Sequence, residues 1–355
     1  MKIFYDNIIF SLQRAGGISL YWSELISASI KKNIDIQFFG SKNENIFQKR
    51  IDLNIKTESR ISIKILRYMP LLKTLPNGSV FHSSYYRVSF QKNVKNIVTV
   101  HDFTYEFFMS GVAKYIHIWQ KKIAISKSSG IICVSESTKK DLLKFYPNLK
   151  NEKIRVIYNG VGDEFLVLSN PASYLTFQFK NLANRKYLLY VGDRSSYKNF
   201  KLAVDVLFGL DDFSLVVIGG GKFNKYEKSI IKERRGDVFH FSGLDGNELN
   251  VIYNNACCLL YPSSYEGFGI PIVEAMKSGC PVVSVNVSSI PEVCDNACLL
   301  VDNPNLANLI EKVESLEDSE IRKSVIKRGI IRAQAFSWSK CFNDTLKFYE
   351  EVENK

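Results

Sequence analysis

Residues that build metal sites and disulfide scaffolds are scarce in this chain. Four histidines are scattered through 355 residues, and the seven cysteines (Cys133, Cys257, Cys258, Cys280, Cys294, Cys298, Cys341) include no C-x-x-C pair. An odd set in apolar, strand-like surroundings is expected of reduced core thiols. Cys294 and Cys298 are four apart, but no histidine stands near them to complete a zinc site, so no metal is expected. A G-x-G-x-x-G fingerprint with a later acid is missing, as is the GK[ST] ending of a P-loop, which argues against NAD and against a Walker-type site. No apolar run nears the roughly 20 residues of a membrane span; the stretch around Ile154 to Val161 is short and broken by charge. The start, MKIFYDNIIFSLQ, holds Asp6 and no small-residue cleavage site, so it reads as a first strand rather than a signal peptide, and a cytoplasmic location is expected. Short-period repeats and low-complexity tracts are also missing.

At 355 residues the chain exceeds what one hydrophobic core usually fills, and an apolar share of 46% can furnish two. Its first half alternates apolar strands (KIFY, IDIQFF, SVFHS, NIVTVHD, GIICVS, KIRVIYNG) with helix-period stretches such as ISLYWSELISASIKK. The second half repeats the style with KYLLYVGD, FSLVVIGGG, DVFHFSG, ACCLLYPSS, GCPVVSV and ACLLVD. Strands separated by helices indicate parallel sheets with crossover helices, hence an α/β chain of two doubly wound domains in tandem. The period is lost from about Asp163 to Arg185, which reads as the hinge, with domains expected over 1–165 and 166–336. Ligands of open parallel sheets bind beyond the carboxyl ends of the strands, so the loops there are expected to meet in one interdomain cleft. Charge is divided unevenly: residues 1–165 hold 25 Lys and Arg against 13 Asp and Glu, and the remainder 22 against 23. A basic first domain suits nucleic acid, an acidic membrane surface or a phosphorylated substrate, although a solvated basic face has the same composition.

In YVGDRSSYKNF (190–200) a strand ends at Gly192 and leads through Arg194 to Lys198 and Asn199 at a helix start. A guanidinium fork, an ammonium and a helix N-terminus together suit a diphosphate. In SSYEGFGIPIVEA (263–275) the helix is expected near Ile270, with Pro271 in its first turn, where a missing amide hydrogen is tolerated. The amides of Gly267, Phe268, Gly269 and Ile270 then make an anion-friendly nest flanked by Glu266 and Glu274. Carboxylates on both sides of such a nest fit a ligand with hydroxyls on both sides of its phosphates, as in a nucleotide sugar. Gly16 and Gly17, after the first strand, offer a second backbone approach point. IGGGK (218–222) follows a strand and is read either as close packing or as phosphate-side backbone. His101 and Asp102 end the strand NIVTVHD at the cleft mouth, where a histidine can donate to a sugar hydroxyl; a turn histidine is the rival reading. Asp211 and Asp212 precede a strand and read as a solvated turn rather than a metal pair. Residues 56–73 carry cations at 56, 60, 64, 67 and 73 among Ile, Leu and Met, a helix-period basic amphipathic pattern suited to anionic lipid, and 114–127 repeats it; a core helix with solvated lysines has the same pattern.

Together these residues resemble the retaining glycosyltransferases of family four, which have the two-domain GT-B fold. The likeness covers essentially the whole chain: the Gly16–Gly17 pair, His101–Asp102, VIYNGV before the hinge, Arg194 with Lys198–Asn199, EGFGIPIVEA as the E-x7-E element, and FSWSKCFNDTLKFYEEV as a last helix (337–355) returning to the first domain. YDNIIFSLQRAGGIS and YVGDRSSYKNF look most like bacterial mannosyltransferases of O-antigen and surface polysaccharide assembly. The resemblance implies transfer of a hexose, mannose from GDP-mannose in the first instance, to a lipid-linked oligosaccharide at the inner face of the cytoplasmic membrane. Neither metal nor cofactor is implied. Arg194 and Lys198 would neutralise the donor pyrophosphate, Glu274 hold the ribose and Glu266 the transferred hexose. Phe268, Gly269 and Ile270 would offer amides to sugar and phosphate, Gly16 and Gly17 would touch phosphate from the first domain, and His101 would stand near the anomeric carbon. Phe241 and Leu244 would flank the base. One departure is that Arg194 and Lys198 are a residue closer than in the family's commonest form. Rival readings are a UDP-hexose donor, a GT-B sugar-nucleotide epimerase, a non-catalytic nucleotide-sugar binder, and a nucleic-acid-binding protein; the last leaves the glycine and glutamate cluster without a role, so no nucleic acid is expected.

Overall fold

A computed structural model describes residues 2–41, 43–51, 55–232 and 237–354. The chain forms two compact units, 1–160 with 338–355, and 161–337. The stretch 163–185, read from sequence as the hinge, therefore belongs to the second unit, where Phe179 and Leu182 are buried.

The first unit runs β1 (Ile3–Asp6), α1 (Ile8–Leu12), α2 (Gly17–Lys31), β2 (Ile36–Gly40), β3 (Ile55–Thr57), α3 (Ile63–Leu66), β4 (Val80–His82), β5 (Lys95–Val100), α4 (Thr104–Phe108), α5 (Val112–Lys127), β6 (Gly130–Cys133), α6 (Glu136–Phe145) and β7 (Ile154–Val156). Its strands pair in parallel in the order β3-β2-β1-β4-β5-β6-β7. Strands such as β1 and β6 are buried at every position, as a sheet covered by helices on both faces requires. Helix α2 inserts Tyr21, Trp22, Leu25 and Ile26 at helical spacing against that sheet.

The basic segment 56–73 departs from the amphipathic helix expected of it. Strand β3 takes Ile55–Thr57, and only Ile63–Leu66 is helical. Two forces override the pattern. Pro70 biases Met69 away from helix, and the buried Arg87 draws the segment inward, with Nε donating to Met69 O (2.9 Å), Nη2 to Pro70 O (3.0 Å) and both Nη groups to Glu58.

The second unit runs β8 (Lys186–Val191), α7 (Phe200–Phe208), β9 (Phe213–Ile218), α8 (Lys225–Lys232), β10 (Asp237–Phe241), α9 (Gly246–Asn255), β11 (Cys258–Tyr261), α10 (Ile270–Lys277), β12 (Val282–Val285), α11 (Ile290–Cys294), β13 (Leu299–Val301), α12 (Leu306–Glu314) and α13 (Ser319–Ala333). Its parallel order is β10-β9-β8-β11-β12-β13. Leu188, Leu215, Val217, Leu260 and Val283 form the centre of its core. Cys294 and Cys298, expected as separate thiols, are joined as a disulfide: α11 ends at Cys294, and the following turn through Asp295, at φ +52°, brings the two Cα atoms to 5.5 Å. The remaining cysteines are free.

After Ser337 the chain returns to the first unit as α14 (Trp338–Glu353). Tyr349 Oη meets His82 Nδ1 and lies 3.4 Å from Tyr5 Oη, while Phe348 and Val352 press on Gly130.

Candidate functional site

In the second sheet the strand order reverses between β8 and β11, and the loops leaving two such strands diverge to opposite faces and open a crevice between them. The loop after β8 carries Lys198 and the loop after β11 carries Glu266. Their charged ends meet there, with Lys198 Nζ 2.8 Å from Glu266 Oε1 and both side chains almost covered. Burial pulls the Lys198 pKa down, but the Glu266 carboxylate outweighs it and holds the amine firmly protonated. The loops are tied by backbone and side chain: Ser264 N donates to Tyr197 O (2.7 Å), and Asn199 Nδ2 to Pro262 O and Ser264 Oγ, both at 2.8 Å. A third loop, after β12, supports them. Glu266 N donates to Ser288 Oγ (2.8 Å), and Ser289 Oγ donates to Glu266 O (2.8 Å) and Phe268 O (3.1 Å). Asn199 and Ser288 both adopt positive φ, a backbone strain held by these bonds.

Gly269 caps α10 at φ +98°, a conformation that a side chain would strain, and so allows Ile270 and Pro271 to open the helix directly after the loop. The amino end of α10, with its partial positive charge, lies on the same loop as Glu266. One turn further, Glu274 is buried and accepts 2.9 Å from Tyr253 Oη of α9. Burial raises the Glu274 carboxyl to about 7; the tyrosine bond opposes the shift and nearby Glu164 adds to it. Once ionised, a buried carboxylate with one protein donor has acceptor capacity left for hydroxyl groups.

Arg194 lies in the same loop as Lys198 but turns to a different neighbour. Its Nη1 donates to Gly219 O (3.1 Å), its Nη2 to Gly221 O (2.6 Å), and its Nε lies 3.0 Å from Glu227 Oε1. The Gly219–Gly221 turn is also held by His240, whose Nε2–H donates to Gly219 O (2.9 Å), and by the bond from Gly219 N to Phe241 O (3.0 Å). The Phe241 ring packs edge-on to Phe179 with centroids 5.2 Å apart, and Leu244 lies half-buried just beyond. Asp211 and Asp212 precede β9, at the opposite end of that strand. Among the described residues no group of three or more His, Cys, Asp or Glu side chains is gathered as a metal ion would need.

In the first unit, Gly16 caps α2 and Gly17 opens it, after the short helix α1 that sequence reading missed. His101 follows β5, edge-on to Tyr21 at 5.0 Å, with its Nε2 buried and without a partner. Burial lowers its pKa to about 4, with Asp102 opposing and Lys121 assisting, which favours the neutral imidazole near pH 7. Tyr253, Ser288, Ser289 and Glu227 were not anticipated; only the Ser-Ser after GCPVVSVNV, in a post-strand loop, offered a sequence signal.

Residues 15–165 match the family described as Glycosyltransferase Family 4, and residues 175–332 match Glycosyl transferases group 1. O-antigen chain mannosyltransferase B of Escherichia coli is 29% identical over 233 residues, covering 62% of this chain and 60% of the relative. O-antigen chain mannosyltransferase RfbU of Salmonella typhimurium is 28% identical over 230 residues, 62% of each. The match thus spans about three fifths of these curated relatives' length. Among solved structures, HepE of Anabaena, in complex with UDP-glucose, superposes with a TM-score of 0.78 at 15% identity over 100% of both chains. With two family matches spanning most of its length and two doubly wound units, this chain belongs to the family 4 glycosyltransferases of GT-B fold and resembles the O-antigen mannosyltransferases.

Proposed function

We propose that the chain is a retaining hexosyltransferase whose second unit binds a nucleotide-sugar donor, most simply GDP-mannose, and whose first unit binds a lipid-linked oligosaccharide acceptor. The observation that carries this reading is the β8/β11 crevice, where Lys198 and Glu266 meet 2.8 Å apart beside the amino end of α10, with Glu274 buried one turn on. Lys198 neutralises charge growing on the leaving diphosphate, the point at which a preorganised cation helps most. Glu266 accepts from hydroxyls of the transferred hexose and Glu274 from those of the ribose. Leaving-group departure and acceptor attack then occur on one face of the sugar, assisted by the departing phosphate, without a covalent enzyme nucleophile and without a metal.

Mannose is favoured by the names of the two curated relatives, whereas the UDP-glucose complex of the Anabaena protein favours the second reading, a UDP-hexose donor. Peripheral contact with the inner membrane face is supported by a different observation: Val112, Tyr115, Ile116 and Trp119, at i, i+3, i+4 and i+7 of α5, are all exposed, while His117, Gln120 and Lys121 are turned inward. No helix among the described residues is long and apolar enough to cross a membrane.

A thermal-shift series with GDP, UDP, ADP, GDP-mannose and UDP-hexoses tests the donor. Ligand at about 100 times its Kd stabilises by ~2.7 kcal/mol. A shift with GDP and GDP-mannose is expected. A shift with UDP compounds alone keeps the class and replaces mannose, and no nucleotide shift overturns the reading. Analysis of products from donor incubated without acceptor separates transfer from epimerisation.

A further inference from the structure

Resting on the acceptor reading above, we infer that Arg67 and the tyrosines gathered after β4 and β5 form an acceptor subsite in the first unit for a sugar residue that carries an anionic group, phosphate or carboxylate. The loop after β4 presents Tyr85 and Tyr86, α4 presents Tyr105 just after β5, and the basic segment supplies Arg67 at the end of α3. All four are half-buried, and they close around His117 of α5. The His117 ring stacks on Tyr105 with centroids 3.8 Å apart and meets Tyr86 and Tyr85 at 5.5 and 6.1 Å. Arg67 Cζ lies 4.5 Å from the centre of the Tyr68 ring and 5.1 Å from that of Tyr85. Tyrosine rings offer apolar faces edged by a hydroxyl, which suits the C–H face of a pyranose, and a guanidinium stacked among them is a planar donor for phosphate or carboxylate.

Charge is the first observation that points to a ligand. Two neighbouring buried cations have their counter-charges inside the protein: Arg87 has Glu58 and Asp6, and Lys121 has Glu106. Arg67 meets no carboxylate within ion-pair distance among the described residues; its Nη2 donates to Tyr68 Oη, and its Nε is buried without a partner. His117 Nδ1 and Gln120 Oε1 are likewise buried and without partners, while Gln120 Nε2 is engaged, donating to Arg67 O and to Tyr85 O (3.3 Å). Burial lowers the His117 pKa to about 3, with Lys121 assisting and Asp102 opposing, so the guanidinium rather than the imidazole supplies positive charge here. The backbone is the second observation. Tyr86 sits at φ +53°, a left-handed conformation that is costly for a bulky aromatic residue. A buried network holds the turn in it: Ser83 Oγ accepts from Tyr85 N and Arg87 N, both at 3.1 Å, and donates to Asp6 Oδ2 (2.7 Å), while Ser84 N and Oγ donate to Asp6 Oδ1 (2.9 and 2.6 Å). Tyr85 and Tyr86 are thereby fixed before a ligand arrives, which lowers the ordering cost of binding.

Ligand-observed NMR titration tests this, with methyl mannoside, mannose-6-phosphate, methyl glucuronide and inorganic phosphate as probes. The nucleoside diphosphate selected by the thermal-shift series is present in excess to fill the donor site. The native chain is expected to bind at least one charged sugar roughly tenfold more tightly than methyl mannoside, the scale of one charged hydrogen bond. Preference for the phosphate identifies a phosphorylated sugar, and preference for the glucuronide a uronic acid. Arg67→Gln should erase the difference and leave methyl mannoside unchanged, whereas Arg67→Lys, a charge without the fork, should keep a smaller one. Tyr85→Leu should weaken all three sugars by a common factor and leave their ratios in place. Each variant is checked for thermal unfolding and for native nucleotide affinity. Equal affinity of the native chain for neutral and charged sugars, a preference that survives in Arg67→Gln, or inorganic phosphate binding as tightly as mannose-6-phosphate overturns the inference and leaves the donor reading intact. If the series selects no nucleotide, the donor reading falls and the inference with it.

Discussion

At Glu274 the protonation state is tied to stability by burial of the carboxyl. With the folded carboxyl raised from 4.5 to about 7, the native state keeps a proton that the unfolded chain releases. Its contribution is therefore fully present below pH 4.5 and is lost as pH rises to about 7, a difference of ~3 kcal/mol by linkage. Replacing it with a neutral isostere should reverse the loss: Glu274→Gln is expected to raise Tm at pH 8, by the equivalent of ~1–2 kcal/mol after the amide's own burial, and to weaken nucleotide binding by roughly 10- to 100-fold. Equal Tm values at pH 8 would show that the carboxylate is not held against its burial. In the native protein, nucleotide affinity should climb as pH passes through 7 and then level off, because hydroxyl donors bind the ionised form; calorimetry at several pH values reads this directly. The placement of Lys198, Glu266 and Glu274 was legible from sequence because each sits just after a strand or one turn into the next helix. Tyr253, Ser288 and Glu227 were not, since they reach the same places from helices and loops whose proximity only the sheet order determines.

Helix α5 buries polar side chains and exposes apolar ones over its first ten residues. Its inward face holds Lys121, fully buried, with Nζ 2.8 Å from Glu106 Oε1 and 4.2 Å from the centre of the Phe103 ring. Its outward face carries Val112, 74% exposed, and Trp119, 59% exposed. Such an apolar stripe on a basic domain matches an anionic lipid surface, where aromatic side chains enter the headgroup layer and lysines meet phosphate. Co-sedimentation with vesicles containing anionic lipid should fall at least severalfold for Tyr115→Ser with Trp119→Ser, with Tm unchanged. Unchanged sedimentation would remove α5 from any membrane contact. The element pattern of the sequence located the strands of the second unit, because each is a short apolar run bounded by turn residues, whereas the similar run at α1 proved helical. It failed at 56–73, where helical spacing of cations was real but Arg87, distant in sequence, drew Glu58, Met69 and Pro70 around itself.

For the molecule as a whole, the two-unit organisation was legible from the repeated strand-helix rhythm and from the charge difference between the halves, whereas the junction at Gly160/Val161 was not, since apolar residues continue across it. Helix α14 supplies several large buried side chains to the first unit. Trp338, Phe342, Phe348, Tyr349 and Val352 of α14 are all buried, and at roughly 1.5–3 kcal/mol for each large apolar side chain their removal matches the whole net stability of a domain. A chain ending at Ser337 should therefore lose the first unit alone: limited proteolysis is expected to degrade residues 1–160 and to leave 161–337 resistant. Equal resistance of both units would refute this dependence. The same arrangement sets an order during synthesis. The strands of the first unit leave the ribosome early, yet their covering helix emerges last, after the whole second unit, an interval on the order of ten seconds or more at ordinary translation rates. Until then Gly130 and His82 lack the side chains that cover them, and the half-made sheet is a surface on which a chaperone would be expected to wait.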